Sequence, residues 1–480
     1  MSGLGVLILL LIGVLLFNTF RSSPWPVYPA AAEHPLPDSA IRHMSQAIQI
    51  PTISISDTSA IDTIAFNAFG TLMERAYPLI HQQLSKTVIN QFAYVYEWKG
   101  QNSRAPIILM GHYDVVPVEA AALSKWSVAP FSGAITDSCI WGRGATDDKF
   151  GVISILEGVE AMLRKGFVPK RTIYLCFGYD EEIRGRGAKA IVDWLEHKKI
   201  RAEMVLDEGG QVTVEKTKEI SRPVAVIGVA EKGYATFELL VEKPGGHSSI
   251  PPKETAIDIL ANALHKLRTQ EPPARLTPQL REFLGRVGPS SNKFLNRMAS
   301  ANMWLFEGMA RSVIEKEPEG YAMMHNTIVP TIIEGGIKEN VIPTIAKAIV
   351  NTRILSGENS KTVEEYIRKT IGDERVIIKK MGDMNSDPSS ATSSQSPAFK
   401  RVESAVCKTI PNVIPAPYQM VGATDSRYYR RISDGVVNFF PMTDAKGFHG
   451  IDERLMIIDL KRGIQFIMTI IEETDKEFGE

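Results

Sequence analysis

The sequence has few cysteines and no strong excess of charge of either sign, and both shortages exclude classes of protein. Its 480 residues contain three cysteines, too few for the disulfide framework of a small secreted domain. The formal net charge is −1, and no long run of lysine or arginine occurs. The chain therefore lacks the basic surface that nucleic acid requires, and we expect no nucleic-acid partner.

The composition is that of a globular protein with more than one domain. Hydrophobic residues make up 44% of the chain and charged residues 23%. A chain of this length exceeds a single ordinary core. From about Asp38, stretches with helical spacing alternate with short apolar runs such as "APIILMG" and "RTIYLCFGYD". This alternation predicts an α/β protein with a mostly parallel sheet flanked by helices.

The N-terminus has a different character. The stretch "GLGVLILLLIGVLLFNTF", residues 3–20, contains no charge and is about long enough to cross a bilayer. It predicts a signal anchor, with a cleaved signal peptide as the alternative. We expect the rest of the chain to lie outside the cytoplasm, either membrane-anchored, or secreted or lumenal if the segment is cleaved.

A second unit begins near Lys232, where the predicted elements follow the order β-α-β-β-α-β of a ferredoxin-like fold. An apolar stretch, "FLNRMASANMWLFEGMARSVI", interrupts it and predicts a helix that lines an acyl-chain pocket or belongs to a core or dimer surface. The Ser-rich stretch 385–396 resembles a linker back to the first unit. We therefore predict an anchor or signal segment with a linker (1–37), a catalytic domain in two parts (38–231 and 385–480) and an inserted lid or dimerisation domain (232–384).

Acidic and imidazole side chains follow four predicted strands of the large domain, and two further acids begin a helix. In open α/β sheets the carboxyl ends of the strands form the ligand crevice. Each of these residues alone is readily explained as a helix cap or a solvated loop charge. Together they converge on one edge of the sheet: His112, Asp114, Asp147, Asp148, Asp180, Glu181, Glu182, Asp207, Glu208 and His449.

So many carboxylates in one crevice would repel one another, and bound cations would remove the repulsion. Imidazoles mixed with carboxylates suit Zn²⁺, or Mn²⁺ or Co²⁺, better than Ca²⁺ or Mg²⁺. Asp147, Glu182 and Asp207 carry three negative charges, so two divalent cations with one hydroxide would give a neutral cluster. Such a pair, about 3.5–4 Å apart, is a known hydrolytic arrangement.

Eight blocks carry a resemblance to a known family: "GHYDVVP", "WGRGATDDK", "DEE", "LDEGG", "PGGHSS", "ENVIP", "GATDSRYY" and "GFHGIDE". In this order they resemble the co-catalytic dizinc peptidases that include carboxypeptidase S, glutamate carboxypeptidase and aminoacylase. The likeness runs from about residue 40 to the end of the chain. "LDEGG" and the apolar N-terminus are most similar to the branch of carboxypeptidase S and the N-fatty-acyl-amino-acid hydrolases.

The resemblance implies metal ligands residue by residue. Asp147 would bridge two zinc ions, His112 and Asp207 would complete one site, and Glu182 and His449 the other. Glu208, adjacent to Asp207, is the alternative ligand, although position along the block favours Asp207. The resemblance also implies a cis peptide bond between Asp147 and Asp148.

Further roles follow from the same resemblance. Glu181 would be the general base, and Asp114 would hold the distal nitrogen of His112. His247 of the inserted domain would stabilise the oxyanion, from the same subunit or from a partner in a homodimer. The terminal carboxylate of the substrate would be held by Asn340, Arg353 and Gly422. Phe150 and Ala423 replace glycines common in the family and touch no ligand.

These features predict a zinc-dependent amidohydrolase that cleaves an amide next to a free carboxylate, in a small peptide or an N-acyl amino acid. A dipeptidase, or a deacylase acting on small acyl groups, is the second hypothesis. A metal-free binding protein on the same fold is the third, although every expected ligand is present.

Overall fold

The computed structural model describes residues 3–29, 38–55, 61–136, 138–215, 219–474 and 476. The first element, α1 (Gly3–Arg21), is the expected apolar helix. Its mean hydropathy is 2.5 and only 6% of it is buried. Within the described ranges it is the one helix long and apolar enough to cross a membrane. Most of the predicted linker, residues 30–37, lies outside the described residues.

The large α/β unit is built from two parts of the chain. Its first part contains, in order, α2 (Asp38–Gln49), α3 (Thr63–Ala76), α4 (Pro78–Gln83), β1 (Ser85–Ile89), β2 (Ala93–Trp98), β3 (Asn102–His112), β4 (Cys139–Trp141), α5 (Lys149–Arg164), β5 (Arg171–Gly178), α6 (Arg186–His197), β6 (Met204–Asp207), β7 (Gln211–Thr213) and β8 (Val224–Glu231). Helices α3 and α4 are separated at Tyr77, because Pro78 starts a new helix.

The inserted unit confirms the ferredoxin-like prediction. Its strands pair in the antiparallel order β11-β13-β9-β14, with two helices on one face. Along β9 and β13 buried and partly exposed residues alternate, as expected for a sheet covered on one side. The unit contains β9 (Gly233–Glu242), β10 (Gly246–His247), α7 (Ala256–Thr269), α8 (Pro278–Val287), α9 (Phe294–Ala301), α10 (Met303–Ile314), α11 (Pro318–Met324), β11 (Thr327–Gly335), β12 (Val341–Ile342), β13 (Ile345–Ile354), α12 (Ser360–Ile371) and β14 (Val376–Ser386).

The chain then returns to the large unit. This last part contains α13 (Pro397–Thr409), β15 (Ile414–Met420), α14 (Ser426–Tyr429), β16 (Val436–Asn438), β17 (Arg454–Met456) and α15 (Ile457–Glu473). The main sheet has the order β1-β2-β5-β3-β6-β16-β8-β15, with β7 beside β8. Its centre, from β5 to β16, is parallel as predicted. The pairs β1/β2, β2/β5 and β7/β8 add antiparallel edges that the apolar pattern did not indicate.

The core of the large unit lies on both faces of this sheet. The central strands β5 and β6 are buried on both sides, which explains why they appear in the sequence as continuous apolar runs. Helices α5 and α15 pack closely against each other, and Gly463 of α15 lies directly over the side chains of Phe150 and Ser154. Glycine allows this close approach because it has no Cβ atom.

Replacing Gly463 by alanine is expected to lower the free energy of unfolding by about 1–3 kcal/mol, because overpacking forces side chains to move. The added Cβ would lie 2.5 Å from Ser154 Oγ and 2.6 Å from Phe150 Cε2. The control is Gly285→Ala in α8, where an added Cβ has no atom within 4 Å. It should be neutral or stabilise the protein by up to about 1 kcal/mol. Thermal midpoints measured by circular dichroism test this, and equal midpoints for the two variants would contradict it.

Candidate metal centre and active site

Neighbouring parallel strands bring the predicted site residues to one edge of the main sheet. His112 is the last residue of β3, and Asp207 is the last residue of β6. Glu181 and Glu182 follow β5, which pairs with β3 on the side opposite β6. The carboxyl ends of these strands therefore meet, as expected for a ligand crevice in an open α/β sheet. His449 reaches the same place from the loop between β16 and β17.

The ring of His112 is held by carboxylates on both sides. Its Nε2 atom lies 3.0 Å from Asp147 Oδ1 and 3.1 Å from Glu208 Oε1. Its Nδ1 atom lies 3.2 Å from Asp114 Oδ1 and 3.1 Å from the carbonyl oxygen of the same residue. A proton on Nδ1 would be shared with Asp114, which leaves Nε2 free to bind a cation.

Asp147 lies between the two imidazoles. While its Oδ1 faces His112, its Oδ2 is 2.7 Å from His449 Nε2. The same nitrogen of His449 is 3.2 Å from Glu182 Oε2. The two oxygens of Asp147 thus point to two different donor sets. This is the arrangement that a carboxylate bridging two cations requires.

Asp148 connects the strand that carries His112 to the helix that follows Asp147. The peptide bond between Asp147 and Asp148 is cis, as the resemblance implied. Asp148 Oδ1 accepts the amide N–H of Gly151 at the start of α5, at 3.1 Å, and Oδ2 accepts that of His112 at 3.3 Å. Asp148 therefore caps α5 and ties it to the end of β3.

Asp114 is fully buried and connects three segments of the site. Besides facing His112, it accepts the backbone N–H groups of Glu181 and Glu182, at 3.1 and 3.2 Å. It also accepts the hydroxyl hydrogen of Ser54, at 2.7 Å. Asp114 thus orients an imidazole and also fixes the loop that carries both glutamates, a role that the spacing of two residues did not reveal.

The structure separates the roles of Asp207 and Glu208. Asp207 Oδ2 accepts hydrogen bonds from Thr424 Oγ1 at 2.7 Å and from the backbone N–H of Ser426 at 3.1 Å. It therefore faces the loop after β15. Glu208 instead turns its carboxylate towards His112 Nε2. In two groups of side chains, one possible ligand atom from each residue lies within 4.8 Å of the others. One group is His112, Glu181 and Glu208, and the other is His112, Asp147 and Glu182.

The loop that leads into Asp147 is fixed by Glu453, which the sequence did not single out. Glu453 Oε2 pairs with Arg143 at 2.5 Å, and its Oε1 accepts both the backbone N–H and the hydroxyl of Thr146 at 2.9 Å. Arg143 and Thr146 belong to the "WGRGATDDK" block and Glu453 to "GFHGIDE". Both blocks were recognised, but the sequence carried no signal that they contact each other.

The electrostatics of the cluster favour positive charge at its centre. Burial opposes protonation of His112, but Glu208, Asp114 and Asp147 outweigh it and raise the pKa of its ring well above the usual value. Hydrogen bonds to Asp147 and Glu182 raise the pKa of His449 to about 10. The imidazoles therefore hold protons wherever no other cation balances the acids.

The pKa values of the acids shift in opposite directions, according to the partners of each acid. Although burial opposes ionisation of Asp147, its two histidine partners lower its pKa. Burial raises the pKa of Glu208 and of Glu181 well above the usual range, and Asp147 adds to both effects. Carboxylates and imidazoles that crowd together in this way fit divalent cations, which would replace the protons and stabilise the ionised acids.

The inserted unit carries three of the four residues predicted to contact the substrate, namely His247, Asn340 and Arg353. His247 is exposed on β10, and its Nδ1 lies 2.8 Å from the hydroxyl of Ser249. Arg353 is half-buried on β13 and stacks over the ring of Tyr234, 4.9 Å from its centroid. Within the described part of the chain, no hydrogen bond or ion pair joins the cluster to His247, Asn340, Arg353 or Gly422. The roles of these four residues in substrate binding and catalysis therefore remain predictions.

The chain is similar to proteins of known family over most of its length. Residues 108–473 match the peptidase family M20/M25/M40. A probable carboxypeptidase S-like 2 from Dictyostelium discoideum is 36% identical over 447 residues, covering 91% of this chain and 85% of that protein. The human N-fatty-acyl-amino acid synthase/hydrolase PM20D1 is 31% identical over 439 residues, covering 90% and 87%.

A solved structure shows the same fold. The M20 family metallo-carboxypeptidase Sso-CP2 from Sulfolobus solfataricus superposes with a TM-score of 0.67 at 20% identity, and the match covers 92% of this chain and 100% of that one. These matches confirm the expected α/β fold with its inserted unit and the expected metallohydrolase acting on amide bonds. The chain belongs to the peptidase family M20/M25/M40.

Proposed function

We propose that this chain is a two-metal amidohydrolase that cleaves an amide bond next to a free carboxylate. The observation that carries the proposal is the position of Asp147, whose two oxygens face His112 on one side and His449 on the other. A carboxylate so placed suits a bridge between two ions. Zinc fits the mixture of imidazole and carboxylate donors, with Co²⁺ and Mn²⁺ as alternatives.

The ligand set changes in one position from the prediction made on the sequence. One ion would be held by His112, Asp147 and Glu208, and the other by Asp147, Glu182 and His449. Glu208 takes the place of Asp207, because Glu208 faces the Nε2 atom of His112 whereas Asp207 faces the loop that contains Thr424. Either choice contributes one negative charge, so the balance of charge with two divalent ions is unchanged.

Two bound cations supply Lewis-acid polarisation of the amide carbonyl and increase the acidity of a water molecule beside it. Glu181 lies at the cluster, next to His112 and Glu208. As general base it would take a proton from the attacking water and deliver it to the leaving nitrogen as the C–N bond breaks. The products are a carboxylic acid and an amine. The raised pKa of Glu181 suits an acid that must both accept and donate a proton.

The relatives and one arginine of the inserted unit support the proposed substrate class. Arg353, with Asn340 and the backbone at Gly422, would hold the free carboxylate of the substrate, since a guanidinium grips a carboxylate with two hydrogen bonds. A carboxypeptidase S-like protein and an N-fatty-acyl-amino acid hydrolase are among the relatives. Small peptides and N-acyl amino acids are therefore the proposed substrates.

His247 would complete the site from a second copy of the chain. It is exposed on the inserted unit, and among the described residues no hydrogen bond or ion pair joins it to the cluster of its own chain, so a homodimer through this unit would allow it to approach another active site. There it would stabilise the oxyanion of the tetrahedral intermediate.

The apolar helix α1 supports a membrane-anchored protein whose catalytic part lies outside the cytoplasm. Its length of 19 residues and its exposed apolar surface suit a single crossing of a bilayer. Cleavage of the segment as a signal would leave a secreted or lumenal enzyme with the same site.

Replacing Glu181 by glutamine is expected to reduce turnover by on the order of a hundred-fold or more, because the amide cannot take the proton from water. Metal content should stay unchanged, as measured by elemental analysis of the purified protein. Turnover is followed on N-acyl amino acids and dipeptides in the presence of zinc. Glu119→Gln, at an exposed position, is the control. Near-normal turnover of the Glu181 variant would remove this residue as the base.

Glu208→Gln and Asp207→Asn form a matched pair that tests the ligand assignment. Loss of the Glu208 carboxylate should reduce bound zinc from about two ions per chain towards one. Asp207→Asn should keep both ions, because an amide oxygen can still accept from Thr424 and Ser426. Zinc stoichiometry after dialysis gives the answer. The opposite pattern would restore Asp207 as the ligand.

Asp114→Ala is expected to weaken metal binding about 10–100-fold, because His112 loses the partner that orients its ring. The control, Ser54→Ala, removes only one hydrogen bond to Asp114 and should have a smaller effect. Competition with a chelator measures both affinities. An Asp114 variant with unchanged affinity would show that the ring of His112 is held by other contacts.

A further inference from the structure

One helix of the inserted unit has an exposed face without charge. On α10 the side chains of Trp304, Leu305, Met309 and Val313 are 62, 45, 55 and 60% exposed. At 3.6 residues per turn, Leu305, Met309 and Val313 lie within about 80° of one another around the helix, and Trp304 borders the same exposed half. Soluble proteins seldom leave so many large apolar side chains together in water, and such patches mark interaction surfaces.

The charged residues of α10 lie outside this exposed half of the helix, and Arg311 borders it on the side of Trp304. Glu307 pairs with Arg281 of α8 at 2.7 Å, and Arg311 is partly buried. Between the apolar side chains the exposed positions are Gly308 and Ser312, which carry no charge. The preceding helix α9, which contacts α10, carries two more exposed apolar side chains, Phe294 and Leu295, 39 and 69% exposed.

This surface adjoins the end of the apolar helix α1. Asn302, between α9 and α10, is fully buried. It donates a hydrogen bond to the carbonyl oxygen of Leu15 at 3.1 Å and accepts one from Asn18 at 2.8 Å. The rings of Phe20 and Phe294 lie 6.4 Å apart. Among the described residues, these contacts are made by the last turns of α1, and most of the preceding apolar side chains of the helix are exposed.

These contacts determine where α10 lies relative to a bilayer crossed by α1. The helix would leave the bilayer near Arg21, next to the turns that hold Asn302. Helices α9 and α10 would then lie at the level of the membrane interface. A tryptophan is favoured at this depth, and a helix with one apolar face lies in the plane of the interface.

We propose that the apolar face of α10 (Trp304, Leu305, Met309 and Val313), together with Phe294 and Leu295, is a membrane-docking surface whose partner is a phospholipid bilayer. The proposal rests on the anchor role proposed for α1. Docking would hold the inserted unit against the membrane surface. The protein would then contact the membrane through α10 as well as through α1. An acyl chain dissolved in the bilayer would then lie beside the inserted unit.

The test uses the full chain reconstituted in phosphatidylcholine liposomes, with or without bromine atoms on the acyl chains. Bromine quenches only tryptophans that are close to the lipid. The emission of the wild-type protein should fall in brominated liposomes, and the Trp304→Phe variant should lose most of that fall. Trp141→Phe, in the large unit, is the matched control and should keep it. Equal quenching of the wild type and the Trp304 variant would overturn the proposal.

Two charged substitutions test the same surface without removing the reporter. Leu305→Glu and Met309→Glu lie at exposed positions and should reduce the quenching of Trp304. Ile64→Glu, 81% exposed on α3, should leave it unchanged. A chain that floats with the liposomes but shows no quenching refutes docking alone, whereas a chain that does not float refutes both the anchor and the docking. If Leu305→Cys instead forms disulfide-linked dimers in the liposomes and quenching is absent, a second copy occupies the face.

Discussion

The site depends on one electrostatic constraint, which is the sharing of the Asp147 carboxylate between two imidazoles. His112 and His449 approach its two oxygens, and Glu208 and Glu182 lie beside the same imidazoles. Carboxylates this close repel one another unless positive charge lies between them. The same acids raise the pKa values of both histidines, which favours positive charge at this place. In the proposed enzyme two divalent ions supply it, and the acids are then ionised and available as ligands.

The surrounding structure holds these charges in place through backbone groups. Asp114, Asp148 and Glu453 are buried acids, and each accepts N–H groups from segments that carry ligands. A buried carboxylate that accepts several such bonds is satisfied and fixes the segments that donate them. The loops at the sheet edge are therefore positioned by these buried acids. This arrangement explains why acidic residues are so numerous in the conspicuous sequence blocks.

Much of the fold followed from periodicity. The central strands, helix α5 and the ferredoxin-like order of the inserted unit were evident, because buried strands and amphipathic helices leave strong local patterns. The strands β1, β2, β7 and β8 were missed; they form the antiparallel pairs β1/β2, β2/β5 and β7/β8 outside the parallel centre of the sheet. The apolar helix of the insertion was predicted as continuous but is divided at Asn302, which hydrogen-bonds to α1. Asn302 and its partner Asn18 are 284 residues apart in the sequence, so their contact leaves no local signal.

By itself the sequence determined which residue types follow the strands, and this was enough to indicate the edge of the sheet, the class of chemistry and the family. Only the tertiary structure shows that Glu208 faces His112 whereas Asp207 faces Thr424. Adjacent residues at the end of a strand point in different directions, and the direction that reaches His112 depends on a loop more than two hundred residues away, which occupies Asp207 through Thr424 and Ser426. The same holds for the exposed face of α10. Spacing shows that a helix has an apolar side, but whether that side is buried or left open depends on what packs against it.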